Sequence, residues 1–197
     1  MKMEGHVKLF QNDDLIHETP NHLTVRGARY ILSWTLGNSI MAGCSYSTNC
    51  NTTAYGMAGS YRIKLGSGAV QPSFDVTTLN SYLIDTPSNS LTVSNSYSTS
   101  DQFDVIYTGT ITGVALSAAF GENKVNEIGL ETYGYQAPTS YRWNIGTLNM
   151  NTTHFNAYQL VGYISSYGEI PDFDPDLIDT TKALTVEWRM RVSFAGD

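Results

Sequence analysis

The closing stretch of the chain alternates almost without interruption. From Leu184 through Val186, Trp188, Met190 and Val192 to Phe194 every even position is apolar, and every odd position from Thr185 to Ser193 is polar or charged. Successive side chains of a strand point to opposite faces, so a period of two means one buried face and one wet face. At about 3.3 Å per residue such a strand runs roughly 35 Å. A long half-buried strand implies an antiparallel sheet packed on one side, whereas a parallel α/β core uses continuously apolar strands. It also carries the last residues of the chain into the sheet.

Shorter segments repeat this message. Val7 and Leu9 alternate with His6 and Lys8, followed by the turn residues Asn12-Asp13-Asp14 and a second short strand to residue 18, which predicts a hairpin. Tyr61-Arg62-Ile63-Lys64-Leu65 reads as a strand closed by Gly66-Ser67-Gly68. Further strands are predicted over 79–84, 91–97, 103–112, 127–132, 141–145 and 158–165. One helix is predicted near the N-terminus, starting at Asn21 or Thr24 and ending at Leu36, with Leu23, Tyr30, Ile31 and Trp34 on one broad face and Gly37-Asn38 as its stop. The Gly/Ser/Thr/Asn-rich stretch 38–60 is read as a long interaction loop, since a structureless loop of about twenty residues is unusual inside a compact domain. Eight or more strands with short turns and one early helix make the predicted fold mainly β: a single antiparallel, jelly-roll-like β-sandwich domain over 1–197 with one short N-terminal helix.

Composition narrows the function. Among 197 residues only 15% are charged, the formal net charge is −7, and 13 are tyrosine. An acidic chain is poorly suited to nucleic acid or an anionic membrane as its main partner, and no apolar run has the length of a membrane span. Scarce charge together with abundant Tyr, Asn and Thr suits a surface covered by further copies of itself or by neighbours. The start of the chain, Met1-Lys2-Met3-Glu4-Gly5-His6, has no apolar leader pattern, so synthesis in a cytosol is expected.

Candidate chemistry is sparse. Asp172, Asp174, Asp176 and Asp179 have the one metal-like spacing, but the glycine and terminal glutamate positions of a calcium loop hold Leu177 and Ala183. Two readings stand: a solvated loop whose carboxylates cap turns, or a weak cation site on Asp172, Asp174 and Asp176. Cys44 and Cys50 are either two thiols or a small loop disulfide, and zinc is set aside because no further ligands lie nearby. The histidines His6, His17, His22 and His154 are scattered, and adjacent His17 and Glu18 would point to opposite faces of a strand. No nucleophile elbow, phosphate-cradling loop or dinucleotide fingerprint is present, so an enzyme is not expected and no cofactor is implied. The triplets at Asn51 and Asn151 match the glycosylation acceptor pattern, which arises easily by chance in so Asn/Thr-rich a chain. Aromatics are dense in the second half. Tyr133 and Tyr135 around Gly134, and Tyr167 before Gly168, are candidates for a protein interface or for stacking on a sugar. The outer row of the closing strand, Glu187, Arg189 and Arg191, is by default a solvated face and is also the first place to look for contacts across a subunit boundary.

Taken in order, several segments resemble small virion proteins of tailed phages and related viruses. They are Glu18-Thr19-Pro20-Asn21 leading to Gly27 and Tyr30-Ile31-Leu32; Tyr61 to Gly68 with Gln71-Pro72-Ser73 and Thr77-Thr78-Leu79; Val125-Asn126-Glu127-Ile128-Gly129-Leu130-Glu131; and Thr180-Thr181-Lys182 before the amphipathic strand. The resemblance implies a non-enzymatic β-sandwich of the virion, made in the host cytoplasm: a capsid-decorating, turret or vertex, or tail- or fibre-associated protein. Its expected partners are further copies of itself and other virion proteins. The alternative is a carbohydrate-binding host-attachment module that recognises a host surface glycan. The 44–50 loop and the acidic 172–179 segment depart from the pattern and leave head or tail open.

Overall fold

A computed structural model of the chain describes residues 2–24, 27, 61–87, 91–99, 102–133, 143–145, 148–150 and 158–193. In chain order the strands are β1 (Lys2–Gln11), β2 (Asp14–Pro20), β3 (His22–Leu23), β4 (Tyr61–Gly66), β5 (Tyr82–Asp85), β6 (Thr92–Thr99) and β7 (Gln102–Ile111). Helix α1 (Gly113–Phe120) follows, then β8 (Glu127–Tyr133), β9 (Trp143–Ile145), β10 (Leu148–Met150), β11 (Tyr158–Ser165) and β12 (Leu184–Ser193). The first sheet has the order β2-β1-β12-β7-β6 and the second β3-β11-β8-β4-β5, while β9 and β10 form a separate hairpin. All pairings are antiparallel, and the two five-stranded sheets pack as a sandwich around one main core.

The closing strand occupies the middle of the first sheet. Leu184, Val186, Trp188, Met190 and Val192 are buried while Thr185, Glu187, Arg189, Arg191 and Ser193 are half-buried, so the period of two translates directly into an inner and an outer face. Register carries that parity to both neighbours. Val7 and Leu9 of β1 stand opposite Trp188 and Val186, and Val105, Tyr107 and Ile111 of β7 stand opposite Met190, Trp188 and Leu184. Each buried side chain in this block contributes about 1.5–3 kcal/mol of burial free energy. The indole of Trp188 also has a polar end to satisfy. With its amide turned so that both ends are met, Asn21 accepts from the Trp188 Nε1–H at 2.8 Å and donates to the Gly5 carbonyl oxygen at 3.0 Å. The Asn21 side chain fits only because Gly5 and Gly162 flank it: a Cβ at either position would overlap the amide.

The β1–β2 hairpin forms as its sequence predicts. Asn12 and Asp13 take φ of 51° and 67°, the doubly left-handed geometry that matches the twist of a two-residue hairpin. The strands predicted over 61–65, 79–84, 91–97, 103–112, 127–132, 141–145 and 158–165 all have counterparts, with ends shifted by a few residues. The helix differs. Among the described residues the α-helix with a described span is α1, in the second half of the chain and not at the N-terminus. Of the predicted 21–36 helix, Asn21 precedes strand β3 at His22–Leu23, Gly27 is helical, and the remainder beyond Thr24 lies outside the described residues, as does the 38–60 loop.

Signals for α1 are present but brief. Thr112 caps its start by accepting from the Ala115 N–H, Gly121 ends it at φ 56°, and Gly113, Leu116 and Phe120 form a buried stripe at helical spacing. The alternating pattern of β7 runs up to Thr112, so the sequence assigns that residue to the preceding strand. The helix is pinned to the approach to β12: Ser117 Oγ donates to the Thr180 carbonyl oxygen at 2.9 Å, and a Cβ at Gly113 would run into the Thr181 backbone.

Because Trp188 is fully buried at the centre of this block, Trp188→Ala should lower unfolding free energy by about 3–5 kcal/mol. Urea denaturation followed by circular dichroism measures this, and a loss under about 1 kcal/mol would contradict the core placement.

Candidate interaction surface

The outer face of the first sheet carries a ladder of charges. Arg191 forks onto Asp104 of β7, with Nε donating to Oδ1 and an Nη2–H to Oδ2, both at 2.8 Å. Asp104 is nearly inaccessible, and the guanidinium holds its carboxyl below the ordinary 3.8. Arg189 donates to Glu187 at 3.3 Å, while Lys8 of β1 lies 3.7 Å and His6 3.3 Å from Glu18 of β2. The predicted interface row of Glu187, Arg189 and Arg191 is thus drawn into contacts within its own sheet. Its ions are half-exposed and paired within the sheet, so the row stiffens it.

The acidic segment is divided among four tasks. Asp172 accepts from the Ser165 N–H at 2.7 Å through Oδ2 and meets His22 Nε2 at 3.0 Å through Oδ1, while its carbonyl oxygen lies 2.7 Å from His17 Nε2. Asp174 accepts from the Asp176 N–H and starts a 3₁₀ turn (Pro175–Leu177). Asp176 pairs with Lys124. Asp179 accepts from both the N–H and the hydroxyl of Thr181, and those bonds pull its pKa down to about 2. Among the described residues no group of three or more potential ligands converges on one point. The carboxylates cap turns and fasten loops.

A second set of polar groups lies on the outer face of the second sheet. Glu127 is fully buried and accepts from the Asn80 N–H at 2.9 Å and the Ser81 N–H at 2.6 Å, which seats the loop between β4 and β5. Burial nevertheless pushes its carboxyl above the usual 4.5. The same loop is held at its middle by the Tyr163 hydroxyl, which accepts from the Ser73 N–H and donates to the Ser73 carbonyl oxygen. Under it Val70, Leu79, Leu160 and Tyr163 form a small apolar cluster separate from the main core. Further along the sheet Glu131 pairs with Lys64 at 2.8 Å, Arg62 with Asp85 at 2.9 Å, and the Lys64 ammonium sits 4.6 Å from the Tyr82 ring centroid. Burial raises the Glu131 carboxyl as well, against the pull of Lys64.

Of the predicted aromatic candidates, Tyr167 is exposed at 43% beside Gly168, whose φ of 90° turns the chain away from β11. Tyr133 ends β8 in backbone register with Tyr158; its side chain, together with Tyr135, Cys44, Cys50, His154, Asn51 and Asn151, lies outside the described residues. Sequence reading missed Asp104, Glu127 and Glu131 as buried acids. In the run from Glu127 to Glu131 they alternate with Ile128 and Leu130, so the acidic side reads as the wet face; it is dry because a distant loop folds over it. Comparison of the chain with family models, curated proteins and solved structures returned no match.

Two consequences are measurable. Arg191→Ala leaves the Asp104 carboxylate enclosed without its fork and should cost about 1–3 kcal/mol at neutral pH. Asp104 has a lowered folded pKa, so its stabilisation is present above the unfolded value and is lost as pH falls through the folded one. The gap between wild type and Arg191→Ala should accordingly shrink below pH 3.8, which denaturation across a pH series reads out. Glu127 and Glu131 run the other way: with raised folded pKa values, their contribution is fullest below the unfolded value and falls as pH rises through the folded one. Glu127→Ala should free the 67–81 loop, giving faster proteolytic nicking there and a stability loss of about 1–3 kcal/mol. An unchanged nicking rate would show that the carboxylate does not seat the loop.

Proposed function

We propose that the chain is a non-enzymatic virion structural protein that self-assembles and docks on a capsid or tail as a decoration, turret or vertex, or tail-associated component. The observation that carries this reading is the use made of several described groups capable of chemistry. Asp172 with His22 and Ser165, Glu127 with Asn80 and Ser81, Asp179 with Thr181, and Asp104 with Arg191 each fasten a loop or strand onto the sandwich. Side chains engaged in this way make a stiff platform, which is what a lattice component needs.

Two of the segments that carry the resemblance also meet in space. Residues 61–66 and 127–131 pair as β4 and β8, and Asn126 ties their ends by donating from Nδ2 to the Ser67 carbonyl oxygen at 2.7 Å and from its N–H to the Gly66 carbonyl oxygen at 2.9 Å. A jelly-roll-like path belongs to the proposal. It is supported by the way the chain alternates between sheets: β1 and β2 in the first, β3 to β5 in the second, β6 and β7 back in the first, β8 and β11 in the second, β12 in the first. The partners in this reading are further copies of the chain and other virion proteins, and its location is the virion. The exposed Tyr167 favours a second reading, a host-attachment module that stacks an aromatic ring on a surface glycan.

Antibody labelling of purified particles in the electron microscope tests the first reading. Label at many sites per particle, with the protein co-sedimenting in fixed proportion to the capsid or tail protein, is the expected result. Particles that carry none of it would refute the assignment.

A further inference from the structure

The sandwich has four sheet edges, and three of them are short or guarded. In the second sheet the edge strands β3 and β5 are two and four residues long. In the first sheet β2 carries Asp14, His17 and Glu18, ends in Pro20, and meets β1 with a register shift at Leu9/Phe10. Charges, proline, bulges and shortness are the means by which proteins prevent an edge from pairing with another chain.

Of these the remaining edge has only a register shift near its far end, between Tyr97 and Thr99; it is neither short, nor charged, nor interrupted by proline. Strand β6 is eight residues long and pairs on one side with β7, from Thr92 opposite Thr108 to Thr99 opposite Gln102. Its other side ends the sheet, so among the described residues a row of backbone N–H and C=O groups faces outward. Residues 86–100 contain no Asp, Glu, Lys, Arg or His, and β6 itself contains neither proline nor glycine. Val93 stands in register with buried Tyr107, on the core-facing side, yet is 43% exposed.

We propose that β6 is a self-association edge: two copies of the chain pair through it, antiparallel, about a two-fold axis, so that one sheet runs through both. This deepens the self-assembly reading above and rests on it. The occupant follows from charge. A chain of net charge −7 repels its own copies over most of its surface, but at β6 two copies bring Ser, Thr, Asn and Tyr against the same residue types. The ion pairs of the outer face stop at Asp104 on β7, one strand before the edge, where Arg191 neutralises it. A strongly charged partner strand would find nothing to pair with at this edge, whereas an identical strand finds neutral, hydroxyl-rich neighbours. An isologous contact of this kind is self-complementary by symmetry and closes as a dimer. It also covers Val93.

Sedimentation velocity across a concentration series, with hydrogen exchange on the same samples, tests the proposal. Wild-type protein should dimerise reversibly, with β6 amides gaining protection as concentration rises. The double substitution Ser94→Lys with Ser96→Lys should raise the dimer dissociation constant by at least about tenfold, since lysine on an edge strand brings like charges together across the axis. Leu15→Lys on the opposite edge β2 should leave the constant within about twofold. Circular dichroism melts of each variant show that it is folded. Loss of dimer in the β6 variant alone supports the proposal. An unchanged dimer in a folded β6 variant overturns the choice of edge while self-assembly stands. A wild-type monomer whose β6 amides exchange at one rate at every concentration overturns self-pairing and leaves the edge to a strand from a different protein. In that last case particle labelling decides the virion reading separately.

Discussion

Trp188 sits at the centre of the first sheet, with Val7 opposite it on one side and Tyr107 on the other, and all three are buried. Much of the rest depends on closing that site. The ring is too large to be covered by one sheet, so the second sheet must lie over it. Its N–H needs an acceptor inside the core, because an orphaned donor there costs about 1–3 kcal/mol. Asn21 supplies that acceptor from the junction of β2 and β3, the point where the chain leaves one sheet for the other. One interaction thereby joins the last strand to the first crossover, which are 167 residues apart in sequence.

Around this core, two of the described loops are fastened in place. The β4–β5 loop is held by a buried carboxylate at one end and a tyrosine hydroxyl at its middle; the approach to β12 is held by Ser117 of α1 and by Gln11 of β1, which bonds both to the Asp179 N–H and to its carbonyl oxygen. The buried acids divide by environment. Asp104 faces a guanidinium fork and keeps its charge easily, whereas Glu127 and Glu131 lose more to desolvation than their partners return. Loops fixed in this way present the same surface in every copy, a property that repeated docking on a lattice requires.

The two long edges of the first sheet are treated differently within one molecule. β2 is charged and ended by proline, while β6 is long and neutral, and each has one register shift against its neighbour. An unguarded edge is an aggregation hazard unless something occupies it. Its persistence beside a guarded one is the asymmetry that points to a specific partner at β6.

The fold was largely legible because its strands obey a strict alternation, above all in β12, where each apolar position from Leu184 to Val192 is buried and each intervening one is not. The hairpin turn was legible from Asn12 and Asp13, whose side chains tolerate the left-handed region. Helix α1 was not, because its eight residues lie directly after a long strand pattern and give only two turns of periodicity. Nor were the partners of the polar residues. Asp172 stands out in the sequence by spacing alone, which says nothing of His22, 150 positions earlier, or of the Ser165 N–H, both of which bond to its oxygens. Glu127 and Glu131 read as wet, but a loop and a lysine enclose them. By itself the sequence determined which residues face inward along each strand, since that follows from local geometry with a period of two. Only the tertiary structure decided which sheet each strand joins, which acids are buried and which edge is left open, since those depend on contacts between residues far apart in the chain.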